Sequence, residues 1–409
     1  MLNQAQSAPS AGDGVMHPGE DPAREPSGQA VIVDADGLPA LFDALCGRGY
    51  TVVGPTVRDG AIVVAELASV AELPFGWGVE TEAGRYRLRE RSDTAAFGHS
   101  AGPQSWKTVL HPPRARLWSA DRVTGTVETS TVEAGEAAEP PRYALLGVRP
   151  CDVRAVAILD QVLTGGRHAD PVYRGRRDGA FIIAVECTEP GATCFCTSMG
   201  CGPGAESGFD LAMTELTDGG DHRFVVRAGT AAGADVLADV PSRAADEATV
   251  RHAVTAVDEA ADRMGRTMPV QGLPQLLAAS RDSPHWDDVA SRCLTCGNCT
   301  MVCPTCFCTT TEDVTDLTGD HAERWRLWDS CFALDFSYLH GGGVRTSGQS
   351  RYRQWITHKL GTWHDQFGSS GCVGCGRCIA WCPTGIDITA EVSALASLQD
   401  MTAAAEDES

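Results

Sequence analysis

The chain has 409 residues, 43% hydrophobic and 21% charged, with a formal net charge of −21 and 17 cysteines. That length supports two or three domains with their own cores. The acidic balance excludes a nucleic-acid partner, because phosphate contacts need a basic face. No apolar run approaches the roughly 18–20 residues of a transmembrane helix, which excludes a membrane partner of that kind. The first 29 residues lack the charged and apolar regions of a signal peptide. The thiols are therefore read as metal ligands in a reducing cytoplasm rather than as disulfides.

Residues 1–29 are rich in Pro, Gly, Ser and acids and read as a disordered leader, within which Met16 is an alternative start. An α/β domain is expected over 30–280. It begins with a strand (30–33) and an amphipathic helix (38–46) that stops at Gly47. Two β-rich runs, 50–57 and 61–67, flank Asp59-Gly60, a hairpin signal. Residues 72–142 look irregular, with short strands and an extended stretch, SWKTVLHPP, starting at Ser105.

YALLGV (143–148) and FIIAV (181–185) are apolar runs of the buried-strand type, separated by a helix over 153–163. Such a βαβ unit makes the strands parallel and puts Cys151 and Cys187 at their carboxyl ends, the edge where open α/β sheets place their sites. Cys194, Cys196 and Cys201 follow in a Gly/Thr-rich loop. Strands are expected again at 210–216 and 223–226, and helix over 241–280. Cys151, Cys187, Cys194 and Cys196 have no standard cluster spacing. They are small buried hydrophobes, a zinc site, or a third cluster. Their convergence on one sheet edge favours the cluster.

The strongest signal lies in 281–392, expected to be a two-cluster ferredoxin-like, largely helical domain with an insertion over 304–371. Cys293, Cys296, Cys299 and Cys303 precede Pro304; Cys372, Cys375, Cys378 and Cys382 precede Pro383. Each run is C-x2-C-x2-C-x3-C-P, in which the fourth cysteine ligates the other cluster. This predicts one [4Fe–4S] cluster on Cys293, Cys296, Cys299 and Cys382 and a second on Cys372, Cys375, Cys378 and Cys303. Cys306, Cys308 and Cys331 are expected to pack or support rather than ligate. Arg324, Arg326, Arg345, Arg351, Arg353, His358 and Lys359 form a solvated basic face, a docking patch or counter-charge for the clusters. Trp325, Trp328, Trp355, Trp363 and Trp381 are expected to shield the clusters from water. Residues 391–409 read as a short amphipathic helix passing into an acidic tail (393–409).

The runs CLTCGNCTMVCPTCFC, WDSCF, RYRQWITHK and CVGCGRCIAWCP, with GVRPCDVRAVAILD and ECTEPGATCFCTSMG earlier in the chain, resemble the beta subunits of cytosolic sulfhydrogenases and NAD(P)-linked nickel–iron hydrogenases. The iron–sulfur A subunit of anaerobic sulfite reductase is similar. The likeness spans roughly 100–390 and is most specific over 290–385. It implies a cytoplasmic electron-wire subunit between a flavin, NAD(P)-binding gamma subunit and the hydrogenase small and large subunits. The eight cysteines of the two runs carry over as ligands, and the third set carries over less directly. The chain lacks a G-x-G-x-x-G between strand and helix and any Ser/His/Asp or H-E-x-x-H constellation. Hydride or proton chemistry would thus belong to partner chains. The alternatives are the same wire in a sulfite or sulfur reductase and a structural zinc scaffold.

Overall fold

The computed structural model describes residues 29–123, 126–131 and 140–407. All but the last residue of the expected leader lies outside the described residues. From the amino terminus the strands are β1 (Val31–Asp34), β2 (Thr51–Arg58), β3 (Ala61–Glu66), β4 (Trp77–Glu82), β5 (Arg85–Glu90), β6 (Arg114–Val123) and β7 (Thr126–Thr131). They continue as β8 (Tyr143–Val148), β9 (Phe181–Val185), β10 (Leu211–Leu216), β11 (Arg223–Ala228) and β12 (Arg243–Ala244). In the carboxy-terminal half come β13 (Thr309–Thr315) and β14 (His321–Trp328).

Eight strands form one sheet in the order β12-β1-β11-β10-β9-β8-β2-β3. Its centre, β2-β8-β9-β10, is parallel, and antiparallel strands extend it on both sides. Every residue of β9 and β10 is buried, as is β8 beyond Tyr143, because helices cover both faces. On one face the helix Leu38–Gly47 inserts Leu38, Leu41, Phe42 and Leu45, the stripe of a one-sided helix. On the other lie the helices Pro150–Leu163 and Pro171–Asp178, with Leu159 and Tyr173 in the core. The β2–β3 hairpin turns through Asp59 (φ +50°) and Gly60 (φ +74°), the two left-handed residues that a tight hairpin needs.

The carboxy-terminal part packs the helices Leu273–Ala279, His285–Arg292, Gly348–Thr357 and Ile388–Asp407 around Trp286, Tyr352, Trp355, Ile356 and Leu360. Among the described residues, no helix is long and apolar enough to cross a membrane.

Several expectations are corrected. SWKTVLHPP is buried but not extended: Lys107–Leu110 is a helical turn, closed by the His111 N–H donating to the Lys107 carbonyl at 2.7 Å. The short strands expected within 72–142 are the β4–β5 hairpin and β6–β7. The insertion 304–371 crosses the expected boundary at 280/281, because β13-β14-β6-β7 form one four-stranded sheet joining it to the amino-terminal half. The carboxy terminus is one helix, Ile388–Asp407, rather than a short helix and a tail.

Leu145 is fully buried at the centre of the sheet. Leu145→Ala should cost about 2–5 kcal/mol through lost burial and the cavity left behind. A urea melt followed by far-UV circular dichroism would show this as a lower midpoint with an unchanged native spectrum.

Candidate iron–sulfur centres

The two cysteine runs fold alike. Cys293 ends the helix His285–Arg292, and Thr295 (φ +55°) and Gly297 (φ +72°) coil the chain tightly before the short helix Asn298–Met301. In the second run Gly374 (φ +66°) and Gly376 (φ +72°) occupy the same two positions before Arg377–Ala380. The Thr295 N–H donates to Cys293 Sγ at 3.4 Å, and the Gly374 N–H donates to Cys372 Sγ at 3.4 Å. The fourth cysteines match too: Thr305 Oγ1 is 3.3 Å from Cys303 Sγ and Thr384 Oγ1 is 3.4 Å from Cys382 Sγ. Residue spacing thus dictates a repeated loop whose backbone N–H groups face the sulfurs, the kind of contact that tunes a bound cluster.

Each loop supplies thiols to both of two cavities. One is walled by Cys293, Cys296, Cys299 and Cys382 together with Phe332, Tyr352 and Trp355. The other is walled by Cys303, Cys372, Cys375 and Cys378 with Phe195 and Lys359. Each cavity is thus lined by three thiols of one run and the fourth of the other, with Cys378 also touching the first cavity. Of the first set, Cys296 is exposed.

Cys151, Cys187, Cys194 and Cys196 also come together. Cys151 sits in the first turn of Pro150–Leu163, and Cys187 lies just beyond β9. The Cys187 N–H donates to the Pro203 carbonyl at 3.1 Å, while a Cβ on the adjacent Gly202 would lie 3.6 Å from Cys196 Sγ. Cys194 Sγ approaches the Cys375 carbonyl at 3.9 Å. Cys151 and Cys196 share one apolar pocket with Trp363, Val373 and Cys375. Cys201 lies in the same pocket, but its thiol donates to the Met199 carbonyl at 3.0 Å.

The donor sets fit a multi-iron group better than one ion. Among the described residues, the only group of three or more His, Cys, Asp or Glu ligand atoms within 4.8 Å of one another is His285, Asp288 and Glu391. Its carboxylates are already paired with Arg292, at 2.9 Å from Asp288 and 3.0 Å from Glu391. Four thiolates on zinc, with bonds of about 2.3 Å, would stand only about 3.8 Å apart. A cubane stands between its ligands and holds them wider. Burial pushes Cys372 and Cys194 up to about 12, with Lys359 opposing the rise at Cys372. Such thiols stay protonated at neutral pH on their own, so their ionisation is tied to metal binding.

The first two residues of note that sequence reasoning missed are Asp152 and Arg377. Arg377 Nη1 and Nη2 each donate to one Asp152 carboxylate oxygen at 2.8 Å, both residues being buried. This bidentate pair joins the residue after Cys151 to one between Cys375 and Cys378. Nothing in the sequence links positions 225 residues apart. The basic face expected in the insertion is not free: Arg324 pairs with Asp313, Arg326 with Asp170, and Arg351 donates to the Leu334 carbonyl at 2.9 Å. Trp355 and Trp363 do pack beside the thiols, whereas Trp325 and Trp328 lie on β14, under Arg114 and Lys107 respectively.

Arg377→Met would strand a buried carboxylate and should cost about 3–5 kcal/mol. Replacing both partners with apolar residues should recover much of that loss, and a double-mutant cycle of unfolding midpoints reads the coupling directly.

Residues 292–386 match the family described as a 4Fe-4S dicluster domain. Over 289 residues the chain is 34% identical to the sulfhydrogenase 2 subunit beta of Pyrococcus furiosus, covering 69% of this chain and 81% of that protein. No solved structure matches. With [4Fe–4S] chemistry supported by both the dicluster match and the thiol-lined cavities, the chain belongs to the sulfhydrogenase beta-subunit family of iron–sulfur electron-transfer proteins.

Proposed function

We propose that this chain holds three [4Fe–4S] clusters and relays electrons, in the cytoplasm, between a flavin and NAD(P)-binding subunit and the small and large subunits of a nickel–iron hydrogenase. Cys293, Cys296, Cys299 and Cys382 hold the first cluster, and Cys372, Cys375, Cys378 and Cys303 the second. Cys151, Cys187, Cys194 and Cys196 hold the third. The clusters, when bound, supply one-electron redox chemistry at each station. The chain's own residues hold them close together in a dry environment.

The observation that carries this reading is the sharing of walls. Cys378 lines both ferredoxin-type cavities, and Cys375 borders both the second cavity and the pocket of Cys151 and Cys196. Each thiol set therefore shares a thiol-bearing wall with the next. Trp355, Trp363, Ile388 and Val373 exclude water from the line. At one end Cys296 is exposed beside Leu294, itself 66% exposed, which gives a redox partner access to the first set.

Anaerobic purification of the native complex should yield about twelve irons per chain, four for each cubane. Replacing Cys187 and Cys194 together by serine should lower that to about eight while the remaining clusters keep their visible absorbance. A nickel-containing partner should co-purify. About eight irons in the unmutated chain would remove the third cluster, and four irons or fewer, or stoichiometric zinc, would sink the whole proposal; co-purification with a siroheme chain would move the wire to a sulfite reductase.

A further inference from the structure

Two lysines are buried beside the second cysteine set, and among the described residues neither meets a carboxylate. Lys107 is 3% exposed and Lys359 is 4% exposed. Lys359 Nζ donates to Thr305 Oγ1 at 2.7 Å and to the Gly371 carbonyl at 2.9 Å. Thr305 lies two residues after Cys303, and Gly371 immediately precedes Cys372. Lys107 comes from the opposite half of the chain. Its Nζ donates to the Cys306 carbonyl at 2.9 Å and stands 3.8 Å from the centre of the Trp328 ring, a contact that favours the charged form.

Of the buried guanidinium groups near these loops, Arg377 meets Asp152 and Arg326 meets Asp170, while Arg149 and Arg351 spread their charge over several backbone carbonyls, which neither lysine does. An ammonium taken out of water without an opposite charge is strongly unfavourable. Two of them converging on one place need a nearby anion. A cubane held by four thiolates is such an anion, and it becomes more negative on reduction. The wall of the first cavity contains no cationic side chain.

We propose that Lys107 and Lys359 are the fixed counter-charge of the cluster held by Cys303, Cys372, Cys375 and Cys378, and that they raise its reduction potential while leaving the first cluster's unaffected. This rests on the cluster reading of the previous section and adds to it the electrostatic control of one station. Both residues are positioning groups, because they act on the cluster's charge without ligating it. Positive charge this close stabilises the reduced state more than the oxidised one, since the added electron has an ammonium to interact with. The two lysines reach the site from separate elements, so their effects can be removed one at a time.

The test is an anaerobic dithionite titration of the full-length chain followed by electron paramagnetic resonance, with iron and sulfide measured on the same samples. The component that disappears in Cys372→Ser marks the second cluster. In Lys359→Met and in Lys107→Met its midpoint should move negative, with the other components in place, and Lys359→Arg should return it most of the way. A full iron content with all midpoints unmoved, or with every component moving together, overturns the proposal. If Lys359→Met loses iron, Lys107→Met decides, because its ammonium bonds only the Cys306 carbonyl. A wild-type chain that binds no iron would instead refute the cluster reading itself.

Discussion

The backbone of Thr193, Phe195 and Cys196 lies against the second cysteine run so closely that only glycine fits at the contact. A Cβ on Gly374 would come within 2.6 Å of the Cys196 backbone nitrogen, and one on Gly376 within 2.3 Å of the Thr193 carbonyl oxygen. Both glycines also have positive φ, so any other residue would be strained there as well as crowded. The Phe195 N–H donates to the Gly374 carbonyl across this contact at 2.8 Å. The loop that leaves the sheet edge and the loop that wraps the second cavity thus share a backbone hydrogen bond. The order of thiol sets follows from this joint: Cys194 and Cys196 can approach Cys375 only because nothing protrudes between them.

Electrostatics reinforces the same joint. The chain is acidic overall, with 54 Asp and Glu against 33 Lys and Arg, yet cations are concentrated around the thiols. Arg377 bridges to Asp152 with both ends buried, and its Nε donates to the Gly102 carbonyl at 3.1 Å. A pair like this adds little net stability relative to apolar packing, but losing one partner is expensive. Its geometric effect is to fix the helix Pro150–Leu163 relative to the second run. On the other side, the turn of the β4–β5 hairpin clamps the fourth cysteine's loop. There the Gly84 N–H donates to the Ile379 carbonyl at 3.0 Å, and Tyr86 and Trp381 pack with their rings tilted by 34° and ring centres 5.0 Å apart.

Much of this was legible in the sequence, and what was not has physical reasons. YALLGV and FIIAV announced adjacent buried parallel strands because burial on both faces leaves no polar alternation. The thiol groups over 293–382 were legible because fixed spacing determines a repeated loop. The β4–β5 hairpin could not be placed because RYRLRE alternates charged residues with only one buried side chain, Tyr86. SWKTVLHPP misled because its two prolines favour extended backbone after His111, while the preceding residues close a helical turn. β6 and β14 could not be paired from sequence, since register between strands some 200 residues apart depends on tertiary packing. Solvated face, docking patch and counter-charge stayed open for the basic residues of the insertion because a composition count does not reveal that Arg326, Arg351 and Lys359 point inward.

The central claim is that three separate thiol sets each enclose a four-iron group. Anomalous diffraction from crystals of the anaerobic protein, collected on both sides of the iron absorption edge, tests it most directly. The account expects three compact iron peaks. One should lie among Cys293, Cys296, Cys299 and Cys382, one among Cys303, Cys372, Cys375 and Cys378, and one among Cys151, Cys187, Cys194 and Cys196. Fewer than three peaks, a peak centred on Cys306, Cys308 and Cys331, or single zinc atoms in their place would contradict it.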